Sequence, residues 1–349
     1  MKQGISTGSC AALAAKGAAQ LLFNAEQVSE VEIALPDGSR LCWPLDELRS
    51  TDTGAAAAII KDAGDDPDVT HGARLEVHIA PRADDQIQFH AGRGVGVVTL
   101  PGLALAVGEA AINPVPRRMI TAALREVTAQ GLDVTVSVEG GEALAQKTFN
   151  PKLGIEGGIS ILGTSGRVRP FSSEALRDSL KCALDICAAS GTRAPVMTPG
   201  NIGRNAAQRR FKLAPQQLVE VSNEWGFVLE QSRQYQFERL LLIGHPGKLA
   251  KLAMQQWQTH SAQSDSAVGF VAELASKLFN RAFVEPNTVE ALFMQMLEQG
   301  ERCMLAEALS KKINEAIEQS FAPTWSSAVV LINLKGEILG SDGALEPWQ

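Results

Sequence analysis

Three short apolar segments in the second half of the chain each run into a turn that carries glycine and polar side chains. The segments are 195–198, 218–222 and 240–243. In an open parallel sheet, ligands bind outside the carboxyl ends of the strands, where glycine lets the backbone approach and helix N-termini offer free N–H groups. Neither G-x-x-x-x-G-K-S/T nor G-x-G-x-x-G occurs, which argues against a P-loop ATPase. The turns predict a site for a nucleotide-like ligand, although ordinary strand-to-helix turns explain the glycines equally well.

An acidic loop in the first half, residues 64–72, holds three carboxylates and an imidazole. Asp65, Asp66 and His71 are the candidates for a general base or for hydrogen bonds to a substrate. The loop lacks the glycine and the distant glutamate of a calcium-binding EF-hand. The alternative is an acidic turn in which aspartate side chains bond their own backbone.

Hydroxyl and basic groups in the first half suggest pockets for an anion. Thr7, Gly8 and Ser9 open a helix that carries Lys16 two turns later, a pattern typical either of an anion pocket or of simple N-capping. A glycine-rich stretch, 92–96, comes before a helix with two arginines, which suits an anionic ligand, and a bulged hairpin explains these glycines equally well. The glycines that bracket an apolar strand within 157–166 indicate either tight packing between two domains or a lining for a flat ligand.

The helices and strands predicted for the first half indicate an α+β fold. A helix follows residues 6–9, and a turn at 36–38 joins a hairpin of 31–35 with 40–43. The stretch 55–61 suits a short helix, and 117–129 suits a helix behind Pro116. Further strands are predicted at 75–80, 87–90, 96–100 and 133–138, and a further helix at 174–189.

From about residue 192, strands alternate with helices, which implies a parallel sheet with crossovers. The last strand is predicted at 328–333, after a helical insert over 268–321. The prediction is an α+β N-terminal domain over 1–192, followed by an α/β C-terminal domain over 193–349 with a small parallel sheet.

The amino-acid composition argues against nucleic-acid-binding and membrane-spanning proteins. The 349 residues contain 32 Lys plus Arg against 39 Asp plus Glu, a net charge of −7, and a single Tyr, which argues against nucleic-acid binding. No apolar run reaches the roughly 18 residues of a membrane span, and no secretory leader is expected. The five scattered cysteines suit reduced thiols in the cytoplasm, and no protein metal site is expected.

Taken in order, several stretches resemble one family. STGSCAALAAK, GDDPDVTHGA, GRGVGVVTLPGL, AINPVPRRMI, KTFNPKLGIEGGISILGTSG, GNIG, SNEWG, GHPGKLAKLA and THS are similar to the cobalt-precorrin-5B C-1 methyltransferases, the CbiD family of anaerobic cobalamin synthesis. The match runs from about residue 4 to residue 265. Gln258 stands where the family commonly has Asn or His, and Asp265 is not followed by the family's charged helix start.

The resemblance implies transfer of a methyl group from S-adenosylmethionine to carbon 1 of cobalt-precorrin-5B, giving cobalt-precorrin-6A. It also implies two domains, an N-terminal α+β domain and a C-terminal α/β domain with a small parallel sheet. We expect the donor at the strand ends of the second domain and the corrinoid in the cleft against the first. The donor-binding candidates are Thr198, Gly200, Asn201, Gly203, Ser222, Asn223, Gly226, Gly244, His245, Gly247 and Lys248. The corrinoid-binding candidates are Thr7, Gly8, Ser9, Lys16, Gly94, Gly96, Asn113, Arg117, Arg118, Lys147, Lys152, Thr259, His260 and Ser261.

Two other classes of function compete with the methyltransferase. A non-catalytic corrinoid carrier would keep the anion pockets without a donor site. A small-molecule kinase is disfavoured by the missing Walker lysine and by the lack of an evident magnesium carboxylate arrangement. A homo-oligomer, or transient contact with neighbouring pathway enzymes, is compatible with the sequence.

Overall fold

A computed structural model describes residues 2–168, 173–296 and 298–349. It divides into two compact units, Met1–Ser173 and Glu174–Gln349. The boundary lies earlier than the predicted one near residue 192, because the helix Ser173–Ala189 packs Leu180, Leu184 and Cys187 into the core of the second unit. The assignment of a ligand to each unit stays a prediction.

The first unit combines short strands with two longer helices. Its elements are β1 (Gly4–Ile5), α1 (Thr7–Asn24), β2 (Glu30–Ala34), β3 (Arg40–Pro44), β4 (Glu47–Thr51), β5 (Gly54–Ile60), β6 (Arg74–Pro81), β7 (Ile87–Ala91), β8 (Gly94–Val95), β9 (Val97–Val98), α2 (Pro114–Arg125), β10 (Leu132–Val138), α3 (Gly141–Ala145), a 3-10 turn at Asn150–Leu153, β11 (Ile155–Glu156), β12 (Gly158–Ile159) and β13 (Arg167–Val168).

The second unit alternates strands and helices. Its elements are α4 (Ser173–Ala189), β14 (Val196–Thr198), α5 (Asn201–Arg210), a 3-10 turn at Pro215–Gln217, β15 (Leu218–Glu220), α6 (Trp225–Ser232), β16 (Arg239–Gly244), α7 (Pro246–Ala253), α8 (Val268–Phe279), α9 (Val289–Met294), α10 (Gln299–Phe321), β17 (Ser326–Ile332), β18 (Ile338–Asp342) and a 3-10 turn at Glu346–Trp348.

The predicted helix at 55–61 is wrong, because this stretch forms β5. β5 pairs antiparallel with β4 on one side and with β6 on the other, in a sheet of order β4-β5-β6-β10-β7. Alanine favours helix, but pairing on both sides overrides that weak preference. Ala55 and Ala57 belong to the same buried core as the alanine-rich α1, so their small side chains leave room for the helix to pack against the sheet.

Most other first-half elements confirm the predictions, with shifted ends. The hairpin forms as β2 and β3, and the strands at 75–80, 87–90 and 133–138 form as β6, β7 and β10. The strand at 96–100 shrinks to β9. The helix expected at 117–129 begins earlier, at Pro114, because this proline already supplies the fixed φ of a first turn. The helix also ends earlier than expected, at Arg125.

The second-half sheet has the order β15-β14-β16-β17-β18. The pairs β14–β15, β14–β16 and β16–β17 are parallel, which confirms the predicted crossovers, and β18 is an antiparallel edge strand that was not predicted. Helices α8, α9 and α10 lie within the predicted helical insert, in which residue 297 lies outside the described residues.

After β14, the chain forms β15 on one side of β14 and then β16 on the other side. β14 and β16 therefore flank the topological switch point, where neighbouring loops diverge and leave a crevice outside the carboxyl ends. Gly203 allows α5 to approach β16 closely, because a Cβ on this residue would lie only 2.7 Å from the backbone oxygen of Ile243.

Replacing Gly203 by alanine tests this close approach. We expect Gly203→Ala to destabilise the protein by about 1–3 kcal/mol, since the backbone oxygen cannot move as a flexible side chain would. The matched control is Gly300→Ala, at an early helical glycine whose Cβ would meet nothing within 4 Å, and it should leave stability unchanged or slightly raised. Thermal unfolding of the full-length variants measures both, and equal melting temperatures would contradict the packing.

Candidate active site

Three loops follow the carboxyl ends of β14, β15 and β16; together, residues 198–203, 222–226 and 244–248 are called the strand-end loops. The loops after β14 and β16 meet directly, since a Cβ on Gly244 would lie 2.9 Å from Pro199. The loops after β15 and β16 are tied by a hydrogen bond from Lys248 Nζ to Asn223 Oδ1, at 2.9 Å. The structure thus brings together most of the predicted donor-binding residues.

The turn at 257–261 joins this group. Thr259 donates from its backbone N–H to the Asn223 carbonyl at 3.1 Å and from Oγ1 to the Asn223 side chain at 3.2 Å. Gln258 donates to Glu224 at 2.6 Å, and Glu224 also accepts from Arg177 at 2.9 Å. Thr259 therefore belongs with the strand-end loops. The side chains of His260 and Ser261 are exposed.

Two features of these loops are typical of a ligand site. Ser222 adopts a left-handed backbone, with φ of 58°, which costs a non-glycine residue about 1–3 kcal/mol and is common at functional sites. Thr198 is fully buried, and its Oγ1 finds no hydrogen-bond partner in the described part of the chain. Buried polar groups are almost always paired, so this hydroxyl is an exception at the switch point.

His245 organises the start of α7. Its Nδ1 accepts a hydrogen bond from the Gly247 N–H at 3.1 Å, so the neutral ring carries its proton on Nε2. Nε2 donates to Glu290 on α9 at 2.7 Å. His245 therefore caps α7 and connects it to the helical insert, which is a positioning role.

In the first unit, the hydroxyls at the start of α1 bond to nearby backbone. Ser6, which was not among the candidates, is the N-cap and accepts from the Ser9 N–H at 3.0 Å. Thr7 Oγ1 donates to the Leu162 carbonyl, and Ser9 Oγ donates to the Gly166 carbonyl. The Gly8 N–H also donates to Leu162. These contacts favour capping and packing of the 162–166 segment over an anion pocket.

Two of the candidate cations are held by internal partners. Lys16 is buried, and its Nζ contacts Glu126 and the carbonyl of Glu32. Arg117 donates to Glu109 at 2.9 Å and to two backbone carbonyls.

Three other candidate cations stay accessible. Arg118 and Lys147 are exposed, and Lys152 lies over the exposed ring of Phe149, with 5.4 Å from Nζ to the ring centroid. Asn113, the N-cap of α2, makes no side-chain capping bond. Arg118, Lys147 and Asn113 can offer donors to a ligand, whereas Lys16 and Arg117 already bond to carboxylates inside the unit.

The glycines at 94 and 96 allow chain segments of the first unit to pack closely. Gly94 has a φ of 76°, and a Cβ there would lie 2.0 Å from the carbonyl oxygen of Val138. A Cβ on Gly96 would lie 2.4 Å from Ile155, and one on Gly158 would meet Gly94. Close packing inside one unit thus accounts for these glycines, and β8 pairs in parallel with β12 instead of forming the bulged hairpin considered for 92–96.

The acidic loop is built around an ion pair that sequence reasoning missed. Lys61, whose side chain is 2% exposed, donates to Asp68 at 2.6 Å, and Asp68 also accepts from Thr70. Burial raises the pKa of Asp68, but its bonds to Lys61 and Thr70 and the lysine charge outweigh that effect and lower it. A lysine ending the apolar run 55–60, close to an acidic loop, was the available signal.

The three catalytic candidates lie at the outer part of this loop. Asp65 accepts from the Lys2 N–H at 2.6 Å, and its side chain is exposed. His71 is exposed and accepts at Nδ1 from the Ala63 N–H at 3.1 Å, which leaves the proton of the neutral ring on Nε2. Asp66 is partly buried. Within the loop, the Thr70 N–H donates to Asp68 Oδ1 at 2.8 Å, which agrees with the alternative of a self-bonded acidic turn, whereas Asp65 bonds to the distant backbone of Lys2.

Comparison with known proteins gives the family. A CbiD family model matches residues 1–170. A protein from Syntrophotalea carbinolica named cobalt-precorrin-5B C(1)-methyltransferase is 47% identical, over 100% of this chain and 99% of its own length. The chain belongs to the CbiD family.

Further relatives carry the same name. The protein from Alkaliphilus metalliredigens is 41% identical over 92% of this chain and 87% of its own, and that from Moorella thermoacetica is 39% identical over 98% and 95%. A crystal structure of the cobalamin biosynthesis protein cbiD from Archaeoglobus fulgidus is 28% identical, covers 70% of this chain and 77% of its own, and has a TM-score of 0.39.

Two negative findings apply to the described residues of this CbiD protein. None of the helices described is long and apolar enough to cross a bilayer. In the same residues, no group of three or more His, Cys, Asp or Glu side chains is placed to hold a metal ion.

Removing the partner of Asp68 tests the ion pair beneath the acidic loop. We expect Lys61→Met to lower stability by about 3 kcal/mol at pH 7, because it leaves a partly buried carboxylate without its cation. The native pKa of Asp68 is depressed, so the stabilisation is present above the unfolded value of about 3.9 and is lost as the pH falls through the lower native value.

Denaturant unfolding of wild type and variant from pH 7 down to pH 3 measures this effect, and the difference should shrink at the acid end. Adding Asp68→Asn to Lys61→Met should recover part of the lost stability, because the unpaired carboxylate charge is removed. A Lys61→Met protein as stable as wild type at pH 7 would refute the role of the pair.

Proposed function

We propose that this chain methylates carbon 1 of cobalt-precorrin-5B, with S-adenosylmethionine as methyl donor and cobalt-precorrin-6A as product. The observation that carries the proposal is 47% identity, across the full chain, to a protein named for this reaction. Cobalt arrives within the substrate.

We place the donor at the strand-end loops. Support comes from the switch point between β14 and β16, the strained Ser222 and the unpartnered hydroxyl of Thr198. The side chains of these loops carry hydroxyl, amide and ammonium groups, which fit the polar groups of an S-adenosyl ligand. Open space lies beside Gly200, because a Cβ there would meet nothing within 4 Å. Thr198, Asn223 and Lys248 would provide the polar contacts.

For the corrinoid, the first unit offers accessible donors. Acidic side chains of the macrocycle need local cations in a protein of net charge −7. Arg118 and Lys147 are exposed, while Lys16 and Arg117 already have carboxylate partners. Lys152 is exposed as well. The exposed ring of Phe149 beside Lys152 adds an apolar surface that suits a flat ligand.

The protein's work in this reaction is mainly orientation. S-adenosylmethionine, when bound, supplies an electrophilic methyl group, and the ring carbon of the corrinoid is the nucleophile. The protein must hold these two carbons in line at about 3–3.5 Å, so it needs no covalent catalyst. The hydrogen bonds among Asn223, Lys248 and Thr259 keep the loop backbones fixed for this purpose. Any proton transfer belongs, in this proposal, to Asp65, Asp66 or His71.

Label transfer tests the reaction. After anaerobic incubation of the protein with cobalt-precorrin-5B and methyl-labelled S-adenosylmethionine, we expect the label on carbon 1 of the macrocycle, located by NMR. Label at another position, or none, would refute the proposed activity. Calorimetry with S-adenosylhomocysteine is the companion measurement, because a corrinoid carrier need not bind it.

Alanine variants test the acidic loop. If one of Asp65, Asp66 and His71 moves a proton in the rate-limiting step, its alanine variant should lower kcat on the order of 100-fold with little change in melting temperature. Asp85→Ala, at an exposed carboxylate in the β6–β7 turn, is the control and should keep full activity. Turnover within a few fold of wild type for all three variants would exclude the role.

A further inference from the structure

Two lysines on one face of α7 share an unusual setting. Lys248 is half-buried and donates to Asn223 Oδ1 at 2.9 Å. Lys251, one turn later, is 8% exposed and donates to Ser264 Oγ at 2.7 Å and to the Thr259 carbonyl at 3.3 Å. Each of these acceptors is a neutral oxygen, so neither ammonium group is neutralised.

The other buried lysines among the residues that the structure describes have carboxylate partners. Lys16 contacts Glu126, and Lys61 contacts Asp68. In the described part of the chain, no carboxylate lies within ion-pair distance of Lys248 or Lys251. The neighbouring acids have other partners, since Glu224 accepts from Arg177 and Glu290 accepts from His245.

An uncompensated pair of charges is costly to bury. Lysine is almost never buried without a partner, and two like charges raise the cost. Burial, together with the charge of Lys251, lowers the pKa of Lys248. A bound anion would remove this cost, and Lys248 is the more accessible of the two ammonium groups.

We propose that Lys248 binds a carboxylate of a ligand, with Lys251 behind it strengthening the positive potential. This inference rests on the proposed function, which places the donor beside Asn223 and Lys248. S-adenosylmethionine carries a carboxylate at its amino-acid end, and the corrinoid carries carboxylates on its side chains.

A carboxylate fits this place better than a phosphate. Phosphate sites at helix N-termini use several free backbone N–H groups. At the start of α7, the Gly247 N–H donates to His245 Nδ1, and the N–H groups of Lys248 and Leu249 donate to the His245 carbonyl. The ammonium groups are then the remaining donors at this helix start, without the free backbone N–H groups that a phosphate site uses.

Calorimetry with two nucleosides tests the proposal on the full-length protein. S-adenosylhomocysteine carries the amino-acid carboxylate, whereas 5′-methylthioadenosine keeps the nucleoside and thioether without it. If the donor supplies the carboxylate, Lys248→Gln should weaken S-adenosylhomocysteine on the order of 30-fold and leave 5′-methylthioadenosine unchanged. Lys277→Gln, at an exposed lysine paired with Glu273, is the control and should change neither affinity.

If the corrinoid supplies the carboxylate, Lys248→Gln should instead raise the KM for the corrinoid on the order of 30-fold, with unchanged binding of S-adenosylhomocysteine. Unchanged values for both ligands would overturn the proposal. Failure of wild-type protein to bind S-adenosylhomocysteine would count against the donor in the proposed function, and the corrinoid measurement would still decide the role of Lys248.

Unfolding separates a binding role from a structural one. Removal of an uncompensated charge should leave the melting temperature of ligand-free Lys248→Gln equal to or above that of wild type. Lys251→Met, which removes the charge behind Lys248, should weaken the same ligand less than Lys248→Gln does. A lower melting temperature together with equal loss of every ligand would indicate that Lys248 only holds the fold, and would contradict the proposal.

Discussion

The parallel pairing of β14 with β15 on one side and β16 on the other is the constraint on which the candidate donor site depends. Strands that run in the same direction end at the same edge, so their following loops must lie together although they are distant in sequence. The chain reverses direction of winding at β14, which opens a crevice there. Gly203 then lets α5 approach the sheet, and the bonds among Asn223, Lys248 and Thr259 fix the loops to one another.

Several buried or half-buried cations have different kinds of partner in the two units. In the first, Lys16, Lys61 and Arg117 each meet a carboxylate, so their charges stabilise the fold. In the second, Lys248 and Lys251 meet only neutral oxygens at the loops where a ligand is proposed. An unpaired cation of this kind costs free energy that an external anion would remove, whereas a paired cation has already found its partner.

Sequence patterns predicted the alternation of strands and helices in the second unit because each strand is short, apolar and bounded by glycine. They failed at β5, where four alanines favour helix in isolation and only the strands on both sides decide otherwise. They located the three glycine turns, since glycine is visible in the sequence. They missed Lys251 and Glu224, because a lysine within a helix and an acid within a turn look like solvated groups until the packing is known. Lys16 was taken for a ligand contact for a similar reason, as Glu126 is distant in sequence and no local pattern pairs the two.

We propose that the strand-end loops hold the methyl donor. Hydrogen–deuterium exchange of the full-length protein with and without S-adenosylhomocysteine tests it most directly, because it reports which backbone amides a bound ligand protects. We expect slower exchange at residues 198–203, 222–226 and 244–248, with little change across β5, β6 and β10 of the first unit. Protection confined to the first unit, with unchanged exchange in the three loops, would contradict it.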